Sequence, residues 1–282
     1  MVLGGIKMLT IVDLARMKNN QEKIAMVTAY DYPSAKQAED AGIDLILVGD
    51  SLGMVVLGYT STTEVTMDDM IHHAKAVRRG AKNTFVVVDM PFMSYHASLE
   101  QSINNVSRLF QETNAQAVKL EGASEETLKL TRRITDGGIP VVGHIGLTPQ
   151  TVNVLGGYRV QGKDEETSKK LLEDAKRFEA AGAAALVLEC IPKELGQVLT
   201  EAINIPTIGI GAGAACDGQV LVYHDLLQYG MEQFPKFVKN YANLNTAGTE
   251  GLKKYVSDVK EGQFPLDEHS YHIKNKDILP KI

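Results

Sequence analysis

The feature that most constrains this chain is a repeated alternation of short, nearly continuous apolar runs with stretches of helical period. The runs occupy 24–29 (IAMVTA), 45–49 (LILVG), 85–89 (FVVVD), 117–121 (AVKLE), 140–144 (PVVGH), 184–189 (AALVLE), 206–211 (PTIGIG) and, less sharply, 220–224 (VLVYH). Runs that are apolar throughout, instead of alternating with polar residues, mark strands buried on both faces, as in a parallel sheet. Between them the period changes. Met67, Ile71, Ala74 and Val77 share one helical face, as do Leu99, Ile103, Val106 and Phe110. Leu171, Ala175 and Phe178 do the same before the sixth run, and Leu195, Val198, Leu199 and Ala202 after it, where Pro192 stands near a helix start. Strand and helix in strict alternation make an α/β fold. Eight units in about 250 residues have the arithmetic of a (β/α)8 TIM barrel; an open doubly wound sheet more often has fewer strands and an early nucleotide fingerprint.

With 282 residues, about 150 per domain would allow two domains, but the strand count assigns the chain to one barrel domain, 1–282, with its core at about 20–262. An N-terminal helix is expected around Thr10 to Lys18. A C-terminal helical extension carries Leu252, Tyr255, Val256 and Val259 on one stripe, expected to pack on the barrel or against a neighbour; only the tail from Ile273 looks free. Two insertions break the rhythm, Ser51 to Thr66 after the second run and Ile145 to Lys163 after the fifth, and long loops after strands are candidate lids.

Composition excludes several functions. Hydrophobic residues make up 44% and charged residues 23%, enough for a packed core. The net charge is -6, with no Lys/Arg cluster to meet a nucleic acid. The longest uncharged stretch, Gly137 to Tyr158, is broken by Pro140, His144, Pro149, Gln150 and Asn153, so no membrane span is expected. Lys7 and Asp13 interrupt the place of a secretory signal, and two cysteines, Cys190 and Cys216, form no disulfide framework. A cytoplasmic protein is expected.

In a barrel of this kind the carboxyl ends of the strands converge on one mouth, where active sites lie. Polar residues close the apolar runs: Asp50 and Ser51, Asp89, Lys119 and Glu121, His144, and Glu189. Ser51 alone reads as a helix cap. Asp50, Asp89 and Glu121 together would repel one another unless a cation neutralises them, and oxygen ligands of this type fit Mg2+; a structural carboxylate network is the alternative. Lys119 and Glu121, two apart on one strand, face the same way, so Lys119 is either the partner of the carboxylates or a group that binds an acidic substrate. Glu189, at the end of the most apolar strand, is placed as a general base whose pKa desolvation would raise, or else as a salt-bridged structural residue. The GIGAGA at 209–214 is followed by CDGQVLVY, a turn and a strand, so a dinucleotide fingerprint is rejected. Adjacent His72 and His73 cannot share a helix face as metal ligands, His269 and His272 read as solvated, and Cys190 reads as core.

The segments VTAYDYPSA (27–35), LVGDSLGMVVLGY (47–59), AVRRGA (76–81), VDMPFMSY (88–95), VKLEG (118–122), GHIGLTPQ (143–150), GGYRVQGK (156–163), VLECIP (187–192), IGIGAGAACDGQVLV (208–222) and PKFVKNY (235–241), in this order, resemble the ketopantoate hydroxymethyltransferase family. The resemblance runs from about residue 8 to residue 272. It implies a Mg2+-dependent (β/α)8 barrel that transfers a hydroxymethyl group from 5,10-methylenetetrahydrofolate to 3-methyl-2-oxobutanoate, giving ketopantoate, an early step of pantothenate synthesis. Asp50 and Asp89 match the metal positions, and Glu121 stands near the metal. Asp50, Ser51, Asp89, Lys119 and His144 match positions around the oxo acid, and Glu189 matches the proton acceptor. The resemblance also implies a homodecamer of two pentameric rings. Residues that contact folate are expected in the loop from Gly146 to Gly162 and the turn from Gly209 to Gly218. One departure is Ala123, where the family often has a second glycine. Two other readings share the acidic strand ends: a Mg2+-dependent oxo-acid lyase of the phosphoenolpyruvate barrels, and a barrel that binds an oxo acid without catalysis.

Overall fold

The computed structural model describes residues 8–230, 233–275 and 278–280; Lys7 and part of the tail beyond Ile273 lie outside the described residues. In chain order the elements are α1 (Ile11–Asn19), β1 (Ile24–Thr28), α2 (Tyr32–Asp40), β2 (Leu45–Val48), α3 (Leu52–Val55), α4 (Met67–Gly80), β3 (Phe85–Asp89), α5 (Leu99–Thr113), β4 (Ala117–Glu121) and α6 (Glu125–Asp136). They continue with β5 (Val141–Gly146), α7 (Val152–Leu155), α8 (Glu165–Ala180), β6 (Ala185–Glu189), α9 (Lys193–Ala202), β7 (Thr207–Ile210), β8 (Gly218–Leu221), α10 (Tyr223–Leu227) and α11 (Leu244–Lys260). The strands pair in parallel in sequence order and close, with β8 beside β1. The fold is the expected (β/α)8 barrel.

Strand alternation divides the side chains into two populations. One set points into the barrel: Ile24 and Met26, Leu45 and Leu47, Phe85 and Val87, Ala117, Val142, Ala185 and Val187, Ile208 and Val220 form a single buried cluster. The other set points outward beneath the helices. Ile46, Val48, Val86, Val88, Val118 and Leu120 meet Ala35, Met70, Ala74, Val77, Val106 and Leu109, while Leu186 and Leu188 meet Ala175, Phe178 and Leu199. Double-sided burial is why the runs are apolar throughout.

Helix α1 is the floor of the barrel. Its start is fixed by a capping box between Thr10 and Asp13, and its Leu14 and Met17 join the inner cluster. At the same end Lys18 Nζ donates to the carbonyls of Thr200 and Ile205 and to Asp217 Oδ2, at 2.9, 3.1 and 2.9 Å, tying the floor to β7 and its neighbours.

Three expectations shift. The eighth strand lies at Gly218–Leu221 rather than 220–224, because Tyr223 to Leu227 form α10 instead. Its first residue must be glycine, since a Cβ on Gly218 would stand 2.5 Å from the carbonyl oxygen of Ile24. In α5 the buried line is Ser102, Val106, Leu109 and Thr113, so the stripe is rotated and Leu99 is exposed. In α11, Leu252, Tyr255, Val256 and Val259 are all exposed and no residue is buried, so the barrel does not receive that stripe.

Two stability predictions follow from the ends of the barrel. Leu14→Ala opens a cavity in the floor and is expected to cost about 3 kcal/mol in urea unfolding; a loss below about 1 kcal/mol would show that α1 does not seal the barrel. In α10, burial pushes the Asp225 carboxyl up to about 6. The folded chain then holds the proton more tightly than the unfolded one, so stability falls as pH climbs from roughly 4 to 6 and stays lower above that. Asp225→Asn is therefore expected to raise Tm at pH 8 and leave it unchanged at pH 4, and an equal shift at both values would rule the carboxylate out as the cause.

Candidate active site

The seven polar strand-end residues occupy one linked cluster at the carboxyl ends of the strands. Inward-facing positions continue the inner stack: above Ala117 on β4 come Lys119 and Glu121, above Val142 on β5 comes His144, and above Val187 on β6 comes Glu189. The register sets Asp89 beside Lys119, Glu121 beside His144 and Gly146 beside Glu189. The contacts run around the mouth. The backbone N–H of Asp50 donates to Asp89 Oδ2 at 3.1 Å, Lys119 Nζ lies 3.1 Å from Asp89 Oδ1 and 3.3 Å from Glu121 Oε1, and His144 Nδ1 lies 3.1 Å from Glu121 Oε1. His144 Nε2 stands 3.2 Å from Glu189 Oε2 without the alignment of a hydrogen bond.

Charge is unevenly balanced in this buried cluster. Burial works against the Lys119 ammonium, but Asp89, Glu121 and Asp50 outweigh it and raise its pKa, so it stays charged. Burial and Lys119 push His144 down, yet Glu121 and Glu189 prevail and lift it to about 9, an imidazolium at neutral pH. Glu121 resists burial through Lys119, His144 and the Gln150 N–H and titrates at about 2. The remaining pair behaves differently. Burial and then Asp89 and Glu121 push Asp50 well above the carboxylate range, and burial also raises Asp89 despite Lys119. Two buried carboxylates whose ionisation is disfavoured, with the Lys119 ammonium 3.1 Å from Asp89 Oδ1, supply the oxygen donors that a hard cation prefers. Among the described residues no three His, Cys, Asp or Glu side chains form a closed metal cage. Both Glu121 oxygens are engaged, Oε1 by Lys119 and His144 and Oε2 by the Gln150 N–H at 3.1 Å. Asp89 is engaged in the same way, Oδ1 by Lys119 and Oδ2 by the Asp50 N–H, while Asp50 is bonded through Oδ2 to Gln150, so the oxygen of this trio with most capacity toward an ion is Asp50 Oδ1.

Ser51 does not cap the helix that follows it. It makes no capping bond to α3, and its Oγ lies 2.8 Å from the hydroxyl of Tyr30. Tyr30 is buried at the end of β1, where its carbonyl oxygen accepts from His73 Nδ1 at 2.6 Å. Gly49 lets this corner close: a Cβ there would stand 2.9 Å from Ser51 Oγ and 3.5 Å from Asp89 Oδ2.

The loops over the mouth add residues that the sequence reading did not single out. Gln150 is buried at the start of the β5 loop, with its side-chain amide on Asp50 Oδ2 and on the Met90 carbonyl oxygen, and its Oε1 accepting from the Tyr95 hydroxyl. The GLTPQ motif stood in the sequence, but nothing in it indicates a partner one hundred residues earlier. Cys190, expected in the core, is half-buried with φ 47, a strained turn directly after Glu189. Glu189 itself is 15% exposed at its side chain, so it faces the open mouth rather than an apolar pocket. The Gly209–Ala214 segment leads into β8, not into a helix, and its glycines are explained by protein neighbours: a Cβ on Gly211 would meet Phe237, and one on Gly213 would meet Lys193. Ala123 is accommodated because the left-handed residue of its turn is Gly122.

The chain is similar to known proteins through most of its length. The family model described as ketopantoate hydroxymethyltransferase matches residues 8–267. A 3-methyl-2-oxobutanoate hydroxymethyltransferase of Bacillus cereus (strain G9842) is 59% identical over 272 residues, covering 96% of this chain and 98% of its own. One of the same name from Geobacillus kaustophilus (strain HTA426) is 62% identical over 265 residues, covering 94% and 95%. Among solved structures, phosphonopyruvate hydrolase in complex with oxalate and Mg++ superposes with a TM-score of 0.60 at 12% identity over 94% of this chain and 93% of that one. A 2,3-dimethylmalate lyase superposes at 0.57 with 16% identity over 93% and 92%. These distant structures share the barrel alone, whereas sequence similarity through nearly the whole length of the transferases makes the chain a member of the ketopantoate hydroxymethyltransferase family.

Proposed function

We propose that this barrel mouth transfers a hydroxymethyl group from 5,10-methylenetetrahydrofolate to 3-methyl-2-oxobutanoate, with Glu189 as the base and Asp50 and Asp89 holding a Mg2+ ion. The observation that carries the reading is the cluster itself: two buried aspartates closing β2 and β3, a fixed ammonium 3.1 Å from one of them, and a partly exposed glutamate at the rim. The relatives' name supplies the substrate. The lyase reading rests on a likeness of fold at 12–16% identity, and a barrel without catalysis leaves this set of charges without a use.

When bound, the cation would polarise the 2-oxo group and favour the enolate. The rest falls to the chain. Lys119, charged and buried, offsets the negative charge of the oxo acid, and Ser51 Oγ, fixed by Tyr30, offers a hydrogen bond at the same corner. Glu189 removes the proton from C3, the carbon α to the oxo group; the resulting carbanion forms a bond to the methylene carbon of the folate-derived iminium, and water then replaces the folate nitrogen on that carbon, giving the CH2OH group and releasing tetrahydrofolate. The imidazolium of His144 spans Glu121 and Glu189 and holds the base at the rim. Glu121 acts on the metal site at one remove, through Lys119 and the Gln150 N–H. Folate enters beneath the β5 loop, where Tyr158 is exposed. No helix among the described residues is long and apolar enough to cross a membrane, and we place the enzyme in the cytoplasm. It works as a homodecamer, for which the exposed stripe of α11 offers contact surface.

Two measurements test the roles. Glu189→Gln is expected to bind the oxo acid normally yet lose C3 hydrogen exchange in deuterated water by about 10²-fold or more, and exchange at the wild-type rate would remove Glu189 from the base role. Asp89→Asn is expected to weaken Mn2+ binding, measured by electron paramagnetic resonance, by at least about tenfold. Unchanged affinity would sink the assignment of Asp89 as a ligand.

A further inference from the structure

The β5 loop and the carboxylate cluster are joined through one side chain. Gln150 has two amide N–H donors and one carbonyl oxygen, and all are used: the donors on Asp50 Oδ2 at 2.8 Å and the Met90 oxygen at 2.9 Å, the oxygen on the Tyr95 hydroxyl at 2.8 Å. Its backbone N–H adds a bond to Glu121 Oε2 at 3.1 Å. Only one orientation of the amide works. Flipped, it would set its oxygen against both the Asp50 carboxylate and the Met90 oxygen. Residue 150 thus gathers the ends of β2, β3 and β4 onto the loop that follows β5.

The loop is fastened at its base and open in its middle. The Leu147 N–H donates to the Glu189 carbonyl oxygen and the Gln161 N–H to that of Cys190, each at 2.9 Å. Gly146, at φ 98, makes that approach possible, because a Cβ there would stand 2.2 Å from the Glu189 oxygen. Between these ties Val154 and Tyr158 are exposed, and the Tyr158 hydroxyl reaches Met54 Sδ, beyond β2, at 3.8 Å. The middle of the loop therefore arches over the mouth, pinned inward at Gln150.

We propose that Gln150 is a positioning residue that couples the β5 loop to the cation held by Asp50 and Asp89, an inference that rests on the metal assignment above. Its chemistry suits the task. A neutral amide orients Asp50 and favours its ionised form without cancelling its charge, whereas a lysine would compete with the ion. One Asp50 oxygen is occupied by the amide and the other is left for the metal. Because the same residue holds the loop, metal binding that stiffens Asp50 stiffens the loop, and a well-placed loop favours metal binding to the same degree.

The test uses Mn2+ as probe on the full-length protein, with its affinity read by electron paramagnetic resonance and hydrogen–deuterium exchange followed over 147–160. In the wild type, Mn2+ slows exchange in this loop. Gln150→Ala is expected to weaken Mn2+ by about tenfold or more and to abolish the metal-induced protection. Mn2+ affinity within twofold of wild type with protection retained overturns the coupling. If Gln150→Ala does not fold, Tyr95→Phe decides: it keeps the buried ring and removes the hydroxyl that fixes the amide, so affinity is expected to drop about threefold, and an unchanged value overturns the proposal. A wild-type chain that binds no Mn2+ fails differently, removing the metal assignment and the coupling together.

Discussion

The site depends on the burial of one ammonium. Lys119 is enclosed on β4 with Asp89 on one side and Glu121 on the other. A charge taken out of water to this depth is tolerated only when it is paired and its partners are themselves held. Each partner here is held by something further out: Asp89 by the Asp50 N–H, Glu121 by His144 and by the Gln150 N–H. The chain of supports then passes through His144 to Glu189 at the rim. Lys119 and His144 together keep Glu121 ionised, while burial disfavours the ionised forms of Asp50 and Asp89. That asymmetry sets Glu121 apart from the two aspartates.

The barrel supports this by keeping polar and apolar layers apart. Its lower interior is a closed apolar stack from Leu14 to Val220, sealed by α1, and its upper interior is the charged cluster. Alternation along β4 shows the change in three residues, from Ala117 to Lys119 to Glu121. The apolar stack below leaves the charges no water on that side, which strengthens every interaction among them. On the open side the loops from β2, β3 and β5 decide how much water remains.

The fold was legible in the sequence because a closed parallel barrel demands strands buried on both faces, and seven such runs are plain to read. The eighth was displaced because GQVL is not an apolar run: Gln219 faces solvent, and Gly218 is set by the nearby Ile24 carbonyl oxygen, which has no signature in local sequence. The cluster residues were legible for a related reason. A charged residue that ends an apolar run has few structural excuses, so Asp50, Asp89, Lys119, Glu121, His144 and Glu189 stood out. Gln150 and Tyr30 did not, since an amide or a phenol in a loop is ordinary until its partner is known, and those partners, Asp50 and Ser51, lie in the turn after β2. The exposure of α11 was hidden too, because a helical apolar stripe predicts that a face is covered and does not say by what.

Barrels that share this architecture at 12–16% identity include hydrolases and lyases, whereas relatives at about 60% identity are hydroxymethyltransferases. The shared part is then the stack of strands and helices, and the part that distinguishes chemistry must lie in strand ends and loops. Here the second strand end, the third and the fifth loop meet on Gln150 rather than on a charged residue. A neutral tie leaves the electrostatics of the mouth to Lys119, His144 and the carboxylates. The charges of the mouth are thus fixed at the strand ends, and the loop above them is fastened by a neutral side chain that bonds Asp50, the Met90 carbonyl oxygen and Tyr95 at once.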